Sequence, residues 1–149
     1  MDFATYFARD RYAALTGARL VETRPGYARA RLRVTDRNKN GLDVAMGGAV
    51  FTLADLAFAA ASNSRGRVAV AVQVSISFLK AGLGLLTAEA REVARSNRFS
   101  TCEVRVTDAA GDLVATFQGL AYLKKETIEE LPEPRPGRRR ARRRRPAGG

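Results

Sequence analysis

From Ala49 to Ala61 every position but Thr52 and Asp55 is apolar. The alanines in this run favour helix, and a helix that is apolar all round is a buried one. The run is shorter than the about 20 residues needed to cross a bilayer, so the rest of the chain has to cover it. Gly47 and Gly48 open the predicted helix, and Asn63, Ser64 and Gly66 close it with turn and C-cap chemistry.

The flanking segments are patterned differently. Asp2 to Leu15 reads as one short amphipathic helix, with Phe3, Tyr6 and Phe7 at helical spacing and Gly17 closing it. Ala18 to Arg24 reads as a strand, followed by a Pro25-Gly26 turn. Tyr27 to Val34 sets Ala28, Ala30, Leu32 and Val34 against Arg29, Arg31 and Arg33, a half-buried strand. Its arginines form either a basic patch or the solvated face of an edge strand. Asp36 to Val44 is a polar loop. Four strand-like runs follow the helix: Val68 to Leu79, Leu85 to Ala94, Phe99 to Thr107 and Leu113 to Leu123, with a hairpin loop at Asp108 to Asp112. The predicted order α-β-β-α-β-β-β-β, with no internal repeat, defines an α+β fold in which an antiparallel sheet curls around one helix.

Charge divides the chain. Residues 131–149 carry eight arginines against Glu133, a net of +7 out of the whole chain's +11. The body is only mildly basic. Residues 1–124 are predicted to form one domain and 125–149 a disordered Pro/Arg-rich tail. The tail is either a solvated extension or a weak contact for nucleic acid or another anionic surface. No aromatic residue interleaves the arginines, so base stacking is not indicated.

Composition narrows the chemistry further. The 149 residues include no histidine and a single cysteine, Cys102. Ser-His-Asp and Cys-His catalysis are thereby excluded, as are the usual zinc sites. No metal and no cofactor are expected. Any acid–base work near neutral pH falls to Asp, Glu, Lys, Tyr or water. Cys102 lies in a predicted strand and reads as a packing residue. One cysteine, with no signal-peptide or membrane pattern, leads us to expect a cytoplasmic protein.

Two features lift the Ala49–Ala61 helix above a plain core element. The Gly47-Gly48 pair lets another group approach free backbone N–H groups at the positive end of a helix. Asp55 stands among apolar residues, where an unpaired carboxylate is costly. It is either a general base or nucleophile with an oxyanion-binding helix end nearby, or a structural group bonded to a neighbouring chain or a backbone N–H.

The run Met46-Gly47-Gly48-Ala49-Val50-Phe51-Thr52-Leu53-Ala54-Asp55-Leu56-Ala57-Phe58 and the exit Ala61-Ser62-Asn63-Ser64-Arg65-Gly66 resemble the PaaI-like hotdog acyl-CoA thioesterases. So do Ser75 to Leu79, Leu86 to Val93 and Leu113 to Gly119. The likeness covers about residues 1–124. It implies a hotdog fold, a helix wrapped in a sheet, and hydrolysis of an acyl-CoA thioester. It also implies homodimers joined edge to edge, often paired into tetramers, with sites at the dimer interface. By position, the family's catalytic acid falls on Asp55 and its oxyanion glycine on Gly47. An asparagine of the loop before the helix falls on Asn40, and Met46 and Gly48 lie on the substrate side of the helix start. Eight residues of one helix span about 12 Å, so Asp55 and Gly47 would have to come from two chains to meet at one carbonyl. The family usually has histidine where this chain has Met46, and often a hydroxyl residue where it has Leu56. Methionine donates no hydrogen bond, and loss of one polarising donor elsewhere costs about 10²–10³-fold in rate. The resemblance therefore leaves two readings, a thioesterase and a non-catalytic acyl-CoA-binding protein. Phe51, Phe58, Phe78 and Phe99 are candidate pocket walls, and Arg65, Arg67, Lys80, Arg95 and Arg98 are candidate partners for the CoA phosphates.

Overall fold

The computed structural model describes residues 1–133. In chain order the elements are α1 (Phe3–Ala8), α2 (Arg11–Thr16), β1 (Arg19–Arg24), β2 (Tyr27–Arg33), α3 (Gly47–Asn63), β3 (Arg67–Phe78), β4 (Leu85–Arg95), β5 (Phe99–Thr107) and β6 (Leu113–Thr127). The strands form one sheet in the order β1-β2-β4-β5-β6-β3, and every neighbouring pair is antiparallel. The sheet packs its inner face on α3. This is the α+β hotdog arrangement that the pattern and the resemblance implied.

The buried faces explain why the helix sits so close. Ala28, Ala30, Ala88, Ala90, Ala115 and Ala121 point inward from the strands, and Ala54, Ala57, Ala60 and Ala61 face them from α3, all essentially inaccessible. Short side chains on both surfaces bring the helix backbone near the sheet. The remaining space is filled by Leu32, Leu53, Phe58, Leu86 and Leu123. At the far end of α3, Asn63 ties the helix to β3. Its side chain accepts from the Ala69 N–H at 2.8 Å and donates to the Ala69 carbonyl at 3.2 Å.

Two departures from the sequence reading have local causes. The single N-terminal helix is two, because the Asp10 side chain accepts the Ala13 N–H at 2.9 Å and caps a new helix. The fold also continues past residue 124. β6 runs on to Thr127, held by the Thr127 pairing with Arg67, and Ile128 is buried at 2% exposure. Beyond it Glu129, Glu130, Pro132 and Glu133 are exposed. The arginine run at 135–145 lies outside the described residues.

β3 pairs only with β6, so its other edge is open. Val72 and Phe78 on it are more than half exposed. Among the described residues no helix is long and apolar enough to cross a membrane.

Candidate active site

The loop between β2 and α3 is built on Asn38, which is 7% exposed. Its side-chain oxygen accepts the Thr35 N–H at 2.8 Å, and its amide donates to the Thr16 and Arg33 carbonyls at 3.3 Å each. Its own carbonyl accepts the Met46 N–H at 2.8 Å. One side chain thus pins the loop to α2 and β2, and the backbone of the same residue holds the start of α3. The sequence shows only a polar loop here, and an asparagine in such a loop carries no signal of being buried. Asn38→Ala strips the Thr35 N–H of its acceptor, and we expect a loss of about 1–3 kcal/mol in denaturant unfolding.

Beyond this clamp, Asn40 and Gly47 line one groove of ≈ 420 Å³, together with Phe78, Leu79 and Lys80. The Asn40 side chain accepts the Leu42 N–H at 2.9 Å, which folds the loop tip back on itself. Phe78 lies against Gly47, and a Cβ there would stand 3.3 Å from the ring. The Gly47 N–H has no acceptor among the described residues. It is therefore a free donor at the positive end of a 17-residue helix.

Met46 caps that helix in an uncommon way. Its backbone is extended, and its thioether sulfur accepts the Gly48 N–H at 2.9 Å. A Cβ at Gly48 would meet the sulfur at 2.8 Å, so a side chain there would displace the methionine from its cap. Met46 is half exposed. The second glycine's N–H is thus occupied by sulfur, a weak acceptor.

Asp55 is elsewhere. It does not line the Asn40–Gly47 groove. It is half-buried on α3, near the Asp10 carboxylate that caps α2. No hydrogen bond reaches its carboxylate among the described residues. Loss of solvent pushes its carboxyl above the ordinary value, and the nearby Asp10 carboxylate adds to the rise. One chain therefore brings Asn40, Met46, Gly47 and Gly48 together and leaves Asp55 apart.

Most of the basic residues considered for the CoA phosphates are already engaged. Lys80 donates to Asp108 at 2.7 Å and to Asp112 at 2.6 Å. Arg65 and Arg95 bind Glu92 at 3.1 and 2.7 Å, and Arg67 donates to the Lys124, Asn97 and Leu123 carbonyls. Burial alone would raise the Glu92 carboxyl, but bonds from Ser100, Arg95 and Arg65 outweigh it and hold the group below its usual range. Of the four phenylalanines, Phe78 lines the groove, Phe58 is core at 1% exposure, Phe51 packs edge-on to Phe117 and Phe99 packs on Tyr122. Cys102 is fully buried, and burial pushes its thiol up to about 11. It is inert near neutral pH. Among the described residues no group of three or more His, Cys, Asp or Glu side chains stands close enough to hold a metal.

A helix wrapped by an antiparallel sheet, with a glycine pair at its start, defines a class, and known proteins agree. The profile of the thioesterase superfamily matches residues 42–115. A candidate esterase of Archaeoglobus fulgidus is 39% identical over 118 residues, which span 78% of this chain and 77% of that protein. The acyl-coenzyme A thioesterase PaaI of Escherichia coli is 31% identical over 118 residues, 78% of this chain and 84% of that protein. The solved structure of the E. coli PaaI protein superposes with a TM-score of 0.80, covering 83% of this chain and 91% of that one. A hypothetical thioesterase protein of Streptococcus pneumoniae solved with coenzyme A superposes with a TM-score of 0.74, with 26% identity and cover of 80% of this chain and 94% of that one. The chain belongs to the thioesterase superfamily, as a PaaI-like hotdog protein.

Proposed function

We propose that the protein hydrolyses an acyl-CoA thioester at a site completed by two chains. Gly47 of one protomer polarises the carbonyl through its free N–H and the helix dipole. Asp55 of the partner subunit activates water or attacks directly. The observation that carries this reading is Asp55 itself, a half-buried carboxylate on an otherwise apolar helix, with no hydrogen-bond partner among the described residues. Burial and the Asp10 carboxylate raise its pKa, the direction that favours a carboxylate acting as base. The open β3 edge, with Val72 and Phe78 exposed on it, supports edge-to-edge pairing of two sheets. Asn40, Met46 and Gly48 surround the carbonyl position on the Gly47 side.

A second reading, an acyl-CoA-binding protein without turnover, is favoured by one observation. The Met46 sulfur takes the Gly48 N–H, and methionine offers no donor in return.

Thiol release from short-chain, medium-chain and aromatic acyl-CoAs separates the two. We expect turnover by the natural protein and an increase of about tenfold or more in Met46→His, which restores a polarising donor. Binding of the esters without release by either protein would remove the thioesterase reading. Silence from the natural protein with activity in Met46→His would establish a muted site and favour the binding protein.

A further inference from the structure

Four arginines that the thioester chemistry does not use meet at one corner of the fold. Arg19, Arg31, Arg33 and Arg37 line a groove of ≈ 700 Å³, beside Thr35 and Asp36. Arg19 and Arg31 stand directly opposite each other in the β1–β2 register, so their side chains leave the same face of the sheet. Like charges in that position are destabilising. On the other side, Arg31 faces Thr87 and Arg33 faces Leu85, so β4 supplies no acid to either.

Nor does the rest of the surroundings compensate. None of the four guanidinium groups makes an ion pair or a side-chain hydrogen bond among the described residues. The contrast with the same strand is sharp, since Arg29 binds Glu22 at 3.0 Å. The one acid lining the groove, Asp36, is held by Lys39 at 3.1 Å. Uncompensated repulsion at a fixed register is a cost to the fold, which an anionic ligand would offset.

We propose that this groove is a phosphate subsite that takes the phosphorylated nucleotide end of coenzyme A. The assignment rests on the thioester reading for the identity of the ligand, and on the four arginines for its chemistry. Guanidinium forks match phosphate oxygens in pairs. Thr35, Asp36 and Arg37 begin the loop that goes on to Asn40 and Met46, and Asn38 bonds that loop to the Thr16 and Arg33 carbonyls. The phosphate groove and the thioester groove thus share one clamped loop. Residues Ala14 to Gly17, at the end of α2, wall one side of the pocket, which suits a compact ligand better than a continuous nucleic-acid backbone.

The test is calorimetry on the full-length protein at one fixed salt concentration, with CoA, adenosine 3′,5′-bisphosphate, pantetheine and a single-stranded oligonucleotide. CoA and the bisphosphate are expected to bind, and pantetheine to bind at least about tenfold more weakly. Arg31→Glu is expected to weaken CoA and bisphosphate binding by about tenfold or more. The same variant should melt at a higher temperature, because a carboxylate at position 31 faces Arg19 across the strands. A merely structural arginine would not combine those two results. Arg33→Ala gives an independent readout of the same loss. The arginine-rich tail is present in every protein compared, so its contribution cancels.

Unchanged bisphosphate binding in both variants overturns the subsite. So does an oligonucleotide that binds through Arg31 while the bisphosphate does not. Failure of the thioester reading looks different. The natural protein would then release no thiol from any ester, yet still bind the bisphosphate in an Arg31-dependent way.

Discussion

Replacing Asp55 by Asn should lower kcat for acyl-CoA hydrolysis by about 10²–10⁴-fold, the usual contribution of a positioned base, while leaving CoA-ester binding and the fold in place. The substitution is close to isosteric and removes only the charge. In the natural protein, kcat/KM should rise with pH through the elevated Asp55 pKa and then level off. The Asn variant should lack that limb. Stability carries a second signature, and its sign is fixed by the direction of the shift. Burial and Asp10 raise the carboxyl's pKa above 3.8 in the folded chain. Native Asp55 therefore keeps its proton over a pH range where the unfolded chain has already released it. Its cost to the fold is absent below the ordinary carboxyl value, grows through the window up to the raised one, and is complete above it. Asp55→Asn should then melt at a higher temperature than the natural protein near neutral pH, and the two should converge in acid. Paired pH–rate profiles and thermal melts measure both effects. Turnover in the variant within a few fold of the natural protein would take Asp55 out of the mechanism.

Gly119→Ala is expected to be the most damaging single-methyl change in the core. A Cβ at Gly119 would stand 2.7 Å from two ring carbons of Phe58 and 2.9 Å from a third. Phe58 has nowhere to retreat. It is 1% exposed and packs on Phe117 at a centroid distance of 5.7 Å. The strand cannot yield either, because Gly119 is paired with Val74 on one side and Cys102 on the other. Overpacking of this kind costs about 1–3 kcal/mol. Because Asp55 lies one turn before Phe58 on α3, a displaced ring would also shift the carboxylate, so activity should fall with stability. A double-mutant cycle with Phe58→Leu tests the cause. Each single change should destabilise, and the double variant should be more stable than their sum predicts, by a coupling of about 0.5–3 kcal/mol. Strict additivity would mean that the ring and the glycine do not contend for the same space.

The glycine at 119 illustrates why part of this molecule is legible in the chain and part is not. The run from Ala49 to Ala61 declares a buried helix because nothing polar interrupts it but Thr52 and Asp55. The strand-like run Phe99 to Thr107, bounded by the Asp108–Asp112 loop, matches the observed β5, where Ser100, Cys102, Val104 and Val106 alternate with exposed or half-exposed neighbours. Those signals are local, carried by residues within one turn or one strand. The break at Asp10 was not legible. An aspartate inside an amphipathic run becomes a cap only when its side chain turns back onto the Ala13 N–H.

For the site, the sequence by itself determined the residue types: no histidine, an aspartate inside an apolar helix, and a glycine pair at its start. Tertiary structure decided everything that depends on distance between segments remote in the chain. It put Asn40 and Gly47 into one groove with Phe78, buried Asn38 as the clamp on their loop, and left Asp55 outside that groove. It also spent Arg65, Arg67, Lys80 and Arg95 on internal partners while leaving Arg19 and Arg31 facing each other unpaired. The physical reason is the same in each case. Hydrophobic patterning acts along the chain and can be read there. Hydrogen bonds and charge pairs act over a few ångströms in space, between partners that only the folded backbone brings together.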